Sequence, residues 1–233
     1  MTDDAEARKK AEDHFMVPLL LVMTVVTGAV DAVSILRLGH VFVANMTGNV
    51  VFLGFALAGA PGFSVSASLV ALAAFLAGAG GGARVLRQLS PRPRLLGWAA
   101  ASEATLALAA TALTIAATGT AVRYAMTVAL GVAMGVRNAT IRKLAVADLT
   151  TTVLTLTLTG LAADIPHLRE PDSATRRRLL AVLCMLAGAV GGAVLVIHAS
   201  TGWALDVATA LLAGIVAIIV WGQPAALRER VQA

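Results

Sequence analysis

Three stretches of this chain, Met16 to Val30, Ala104 to Ala117 and Leu179 to Ile197, carry no charged residue at all. Runs of that kind leave few folds open. A span of hydrocarbon takes about 20 mostly apolar residues in a helix, and no soluble domain hides several such runs at once. The composition agrees: 58% of the 233 residues are hydrophobic and only 13% are charged, where a soluble domain is nearer one quarter charged. The chain is predicted to be an all-α integral membrane protein that crosses the bilayer several times.

The formal charge of +5 does not point to nucleic acid. The Arg residues cluster in short loops, as the positive-inside rule expects of cytoplasmic loops, and no basic domain laced with aromatics is present. One cysteine, Cys184, lies inside an apolar run, so no intrachain disulfide can form. The four His are scattered, without metal-ligand spacing. No P-loop, nucleotide fingerprint or hydrolase signature occurs. We therefore expect no cofactor, no metal, no catalytic residue and no nucleic acid partner, and do not expect an enzyme. The N-terminus lacks the form of a signal peptide and reads as a short cytosolic tail.

Eight apolar segments fall roughly at 16–36, 41–59, 66–84, 96–117, 120–140, 144–162, 179–198 and 204–221. The first four recur as the last four. GAVDAVS (28–34) returns as GVRNATI (135–141), VANMTGNV (43–50) as VADLTTTV (146–153), LAGAGGGA (76–83) as LAGAVGGA (186–193), and GWA (97–99) as GWA (202–204). Four matches in one order indicate a duplication. The expected division is a tail at 1–14, membrane repeats at 15–118 and 119–222, and a tail at 223–233.

Orientation follows from the basic loops. Arg84, Arg87, Arg92 and Arg94 fall in one, Arg137, Arg142 and Lys143 in a second, and Arg169 with Arg176, Arg177 and Arg178 in a third. Eight full spans would force one of them outside. The conflict disappears if the polar segments 41–59 and 144–162 enter and leave on one side. The expectation is then six transmembrane helices as 3+3 inverted repeats plus two polar re-entrant or broken helices, with both termini cytoplasmic in a bacterial inner membrane. Arg37 alone is placed outside. A bent full span for each polar segment is the alternative.

The run TGAVDAVSILRLGHVFVANMTGNVVFLG, with RNATIRKLAVADLTTTVLTLTLTGLAAD, resembles the YoaK-like family of uncharacterised bacterial membrane proteins. The resemblance covers about Phe15 to Trp221. It implies an integral membrane protein of about six helices, and brings no agreed activity, substrate or cofactor.

Polar residues at membrane depth are the candidate site. Asp31 and its repeat partner Asn138, and Asn45 with its partner Asp148, give each half one acid and one amide in swapped places. Ionisable groups in spans default to function, so these residues, with Thr47, Asn49, Thr150, Thr151 and Thr152, are expected to bind a solute or ion between the repeats. Thr155, Thr157 and Thr159 are expected only to bond carbonyls of their own helix. Glu103 and Asp206 are placed near an interface, where a charge stays wet. Arg123 sits near the outer mouth. Trp98, Trp203 and Trp221 read as interfacial anchors. Gly48 is expected to mark a break in the backbone. The G-x-x-x-G pairs Gly78/Gly82, Gly188/Gly192 and Gly131/Gly135 are expected to pack helices closely within the bundle, and the same faces would suit a homodimer.

The function expected is secondary transport or facilitated passage of a small solute or ion, with proton or cation coupling at the carboxylates. A non-transporting scaffold or an intramembrane enzyme is the competing class.

Overall fold

The computed structural model describes residues 2–86, 92–145, 154–163 and 173–222. They form eight helices: α1 (Thr2–Arg37), α2 (Met46–Leu57), α3 (Val65–Leu86), α4 (Arg92–Ala116), α5 (Thr120–Leu144), α6 (Leu154–Ala163), α7 (Ser173–His198) and α8 (Thr201–Trp221). Among the described residues the regular structure is all helix. The expected division into repeats and tails has no independent boundary here. The stretch expected to be an N-terminal tail continues α1 without a break, and the tail at 223–233 lies outside the described residues.

Among the described residues five helices are long and apolar enough to cross a membrane: Lys9–Arg37 within α1, Val65–Val85 within α3, α4, α7 and α8. Their outward faces are apolar. On α7 the exposed side chains Leu183, Leu186, Val190, Val194 and Ile197 recur every three or four residues, the stripe a helix presents to lipid. The buried interior is equally apolar, with Met16, Leu20, Met23, Leu96, Leu130, Leu205 and Leu212 at its centre. The 12 residues of α2 would rise only about 18 Å, against roughly 30 Å of hydrocarbon, so the helix is too short to cross by itself.

Two helix pairs carry the closest packing, α1 with α7 and α3 with α5, and both depend on glycine. A Cβ at Gly28 would lie 2.3 Å from the Met185 carbonyl oxygen and 2.6 Å from the Ala189 nitrogen. A Cβ at Gly135 would lie 2.1 Å from the Phe75 oxygen and 2.7 Å from the Ala79 nitrogen. In return, Gly188 faces the backbone of Val25, and Gly78 faces that of Val132. Each residue in the first interface is the register equivalent, in the matched segments, of its counterpart in the second. Contacts between Gly188 and Val25, and between Gly192 and Ala29, advance together along the chain, so α1 and α7 run parallel. The pairs Gly78–Val132 and Gly82–Val136 make α3 and α5 parallel likewise. The remaining pairs α4 with α8, α4 with α5, and α1 with α8 close the bundle.

The two ends of the bundle differ. At one end Arg92 on α4 reaches Asp13 on α1 at 2.8 Å and the Leu144 carbonyl at the end of α5 at 2.7 Å. At the other end, Leu38, Gly62 to Ser64, Ala67, Thr120, Arg123 and Tyr124 meet around a cavity of about 240 Å³. Tyr124 is hydrogen-bonded to Ser66 there, at 2.7 Å. The chain therefore leaves α1 and enters α3 at the same end, and α2 lies between those points.

Candidate functional site

The route from α1 to α2 is built of buried, irregular backbone. After Arg37 the chain turns through Gly39 and His40, both at positive φ (95° and 55°). Leu38, Val41, Val43 and Ala44 are then all buried at 5% exposure or less. Non-helical backbone at this depth must have its polar groups satisfied by protein. Asn49 does this from the first turns of α2. Its Oδ1 accepts from the Phe42 N–H at 2.8 Å, and its Nδ2 donates to the Phe42 carbonyl at 2.6 Å. Asn45 caps α2 by accepting from the Gly48 N–H at 3.2 Å. Asp31 takes a backbone hydrogen bond from Ala44, which ties this segment to the interior of α1. Gly48 is helical and does not break the backbone. Its lack of a side chain admits the Phe42 ring, which would sit 2.6 Å from a Cβ there. The irregular stretch precedes it, at 38–45.

A charged cluster lies deeper. The Arg137 guanidinium meets Glu103 at 3.1 Å, with both side chains 1% exposed. It also donates to the Met23 carbonyl, which already accepts from Thr27 Oγ1 at 3.0 Å. Arg137 therefore joins α5, α4 and α1. Asp31 sits eight residues beyond Met23 on α1, about 12 Å of helix rise, and feels Arg137 through the field. Among the described residues Asp31 has no ion-pair partner. Three atoms of this cluster are buried without a hydrogen bond: Asp31 Oδ1, Glu103 Oε2 and Arg137 Nε.

Both members of the ion pair depart from what the sequence suggests. Arg137 reads as a loop residue, because Arg142 and Lys143 follow closely. It is instead seven residues inside α5, about 10 Å from that helix end, and 1% exposed. Glu103 is 11 residues into α4 and equally buried, not at an interface. Their mutual pairing is the physical reason: each makes the other's burial tolerable, and neither position advertises its partner. The matched segments hold the signal that could have exposed them. The register equivalents of Arg137 and Glu103 are Val30 and Ala208, both buried and apolar, so two charges stand where a core is expected.

The expected site residues separate into groups. Asp31 and Asn49 are buried and meet the 38–45 segment from its two sides. Asn45 and Thr47 are exposed, and Asn45 is engaged as a cap. Asn138 is half-buried and donates to its own Met134 carbonyl at 2.9 Å. Asp148, Thr150, Thr151 and Thr152 lie outside the described residues. Thr159 bonds the Thr155 carbonyl at 2.9 Å, as expected of a helix threonine. Asp206 is exposed, beside a second cavity lined by Thr111, Thr114, Ser200 and Trp203. Arg123 lines the cavity at the α3–α5 mouth and donates to Thr120 at 3.2 Å. Groups of three or more His, Cys, Asp or Glu fit for a metal ion do not occur among the described residues.

Residues 19–219 match the family described as "Protein of unknown function (DUF1275)". The chain belongs to this family. The chain is also similar to "UPF0700 transmembrane protein YoaK" of Bacillus subtilis (strain 168), 34% identical over 152 residues. That match covers 63% of this chain and 66% of the relative, just under two thirds of its length. No solved structure matches the chain. The DUF1275 match takes in α1 from Leu19 to the last turn of α8, and with it Asp31, Glu103, Arg137 and the 38–45 segment. The printed description of the relative as a transmembrane protein agrees with the five apolar helices.

Proposed function

We propose that this DUF1275 protein passes a small polar solute or ion across the bacterial inner membrane, at a site between two inverted halves. In this reading α5 is a sixth span, whose mean hydropathy is lowered by Arg123 and Arg137 themselves. The order is α1, α3 and α4 in the first half and α5, α7 and α8 in the second, with α2 and α6 as re-entrant elements. The equivalent glycine contacts of α1 with α7 and α3 with α5 support that symmetry, because a duplicated unit packed about a two-fold axis repeats its interfaces. The shared end of the α1 exit and the α3 entry supports α2 as re-entrant. The opposite end carries Arg84, Arg92, Arg142 and Lys143, which puts it and both termini in the cytoplasm under the positive-inside rule.

The observation that carries the functional reading is three charged groups buried in one bundle with three unpartnered polar atoms: the Glu103–Arg137 pair, and Asp31 farther along α1 beside the irregular 38–45 backbone. A core that only had to pack would hold apolar residues here, as the equivalent positions Val30 and Ala208 do. Charges retained at membrane depth mark solute paths in proteins of this build. Asn49 and Asn45 serve the site by holding the 38–45 segment at depth, and the chemistry centres on Asp31, Glu103 and Arg137.

The test is flux in proteoliposomes against a panel of inorganic ions, amino acids, sugars and organic acids. Protein-free vesicles and vesicles holding the double variant Glu103→Leu/Arg137→Met serve as controls. Passage of at least one solute by the wild type alone is expected. Equal flux in all three preparations across the panel would overturn the reading.

A further inference from the structure

Charge at the centre of the bundle does not balance. On α4 and α5 the Glu103 carboxylate is matched by the Arg137 guanidinium. On α1 the Asp31 carboxylate, 8% exposed, has the Ala44 N–H as its partner, with Oδ1 left bare. Arg137 spends its two terminal nitrogens on Glu103 and the Met23 carbonyl. The other ionisable groups around Asp31 do not supply the missing charge. On α7, parallel to α1, the titratable side chains from 179 onward are Cys184, well below Asp31 in register, and His198 at the last residue of the helix, which is exposed. On α8 Asp206 is exposed at the outer end, and His40 in the 38–45 segment is exposed. Arg37 at the end of α1 turns away to the Val196 carbonyl, at 2.9 Å. A carboxylate so placed is costly to keep ionised.

We propose that Asp31 is the seat of one exchangeable positive charge, a proton or an alkali-metal ion, and that its occupancy sets the position of the 38–45 segment. Ala44 supplies the link. With the charge bound, the carboxylate is neutralised and accepts the Ala44 N–H only weakly, which frees the segment to shift. When the charge leaves, the ionised carboxylate accepts that N–H more strongly and draws the segment towards α1. Glu103 is not the seat, because its charge is already met by Arg137. The coupling of this charge to solute passage rests on the transport reading, but its binding does not.

The experiment is thermal unfolding of the purified full chain in detergent, at about pH 8 and about pH 5.5, in choline, sodium or potassium chloride at one ionic strength of roughly 0.1 M. An alkali-ion site gives a rise of about 3 °C or more at the higher pH in sodium or potassium over choline, shrinking at the lower pH as protons compete. A proton site gives a similar rise from the higher to the lower pH in choline, with no preference among the salts. Asp31→Asn, which copies the amide that Asn138 places in this register, should flatten either response. Thr159→Val, which touches only its own helix, should keep it. A wild type indifferent to both pH and cation overturns the proposal whether or not Asp31→Asn folds, and so does a response that survives Asp31→Asn or vanishes in Thr159→Val. Flux without any such response would leave the transport reading standing and remove this one. A response without flux would do the reverse.

Discussion

Arg137 and Glu103 lie 3.1 Å apart with both side chains almost wholly excluded from solvent, and between them they fasten α5 to α4. Removing one partner leaves the other charge buried and unmet, which costs about 3–5 kcal/mol. Glu103→Ala or Arg137→Ala should therefore lower the unfolding temperature by roughly 10 °C in a chain of this size. Replacing both, as Glu103→Leu/Arg137→Met, should restore most of that loss, because apolar pairs of similar volume are tolerated where ion pairs stood. The double variant should nevertheless be silent in flux. Thermal unfolding and flux measured on the same three variants check both halves of this expectation.

Neighbouring glycines on α7 give a sharper contrast. A Cβ on Gly192 would sit 2.6 Å from Ala29 Cα and 2.8 Å from its carbonyl oxygen, whereas Gly191 has nothing within 4 Å. Gly191→Ala should be neutral or stabilise by about 0.5–1 kcal/mol, the helix-propensity gain. Gly192→Ala must push α1 away and should destabilise by about 1–3 kcal/mol. The same opposition is expected of Gly81→Ala and Gly82→Ala against α5. Equal unfolding temperatures within each pair would show that these faces do not make the helix contacts.

Asn49 holds both polar groups of the Phe42 peptide unit. Asn49→Ala leaves a part-buried N–H and a part-buried carbonyl of Phe42 without their partner, a loss of about 1 kcal/mol each, and should loosen the 38–45 segment before the bundle itself melts. Hydrogen exchange reads this directly: the Phe42 and Ala44 amides should lose protection in Asn49→Ala while amides in α4 and α8 keep theirs. Thr159→Val, by contrast, removes a hydroxyl that bonds its own helix and should change stability by less than about 0.5 kcal/mol.

Much of the architecture is legible in the sequence because lipid imposes it. Uncharged runs give the spans, and the recurrence of LAGAGGGA as LAGAVGGA marks glycine faces that do pack helix on helix. The short polar segment at 41–59 announces itself through Asn45 and Asn49, since a membrane helix carries such residues only with a partner. Their partners are less legible. The Asn49 carboxamide bonds the backbone of Phe42, an interaction fixed by a local turn, and it reads in sequence like a solute ligand. The Glu103–Arg137 pair is hidden for a different reason. The two residues are 34 positions apart, and Arg137 is followed by Arg142 and Lys143, so hydropathy places it in a basic loop. Comparison with the apolar equivalents Val30 and Ala208 flags both charges, but that they pair with each other follows only from the packing of α4 on α5.

The proposed inverted halves require α2 to return to the face from which it came. Single cysteines at Lys10, His40, Pro61 and Arg142, on a Cys184→Ala background, probe that return when intact cells are treated with a membrane-impermeant thiol reagent. With α2 re-entrant, His40 and Pro61 label together from outside, while Lys10 and Arg142 label only after the membrane is opened. Labelling of His40 and Pro61 from opposite faces, or of Lys10 and Pro61 from one face, would contradict the inverted halves and the buried site between them.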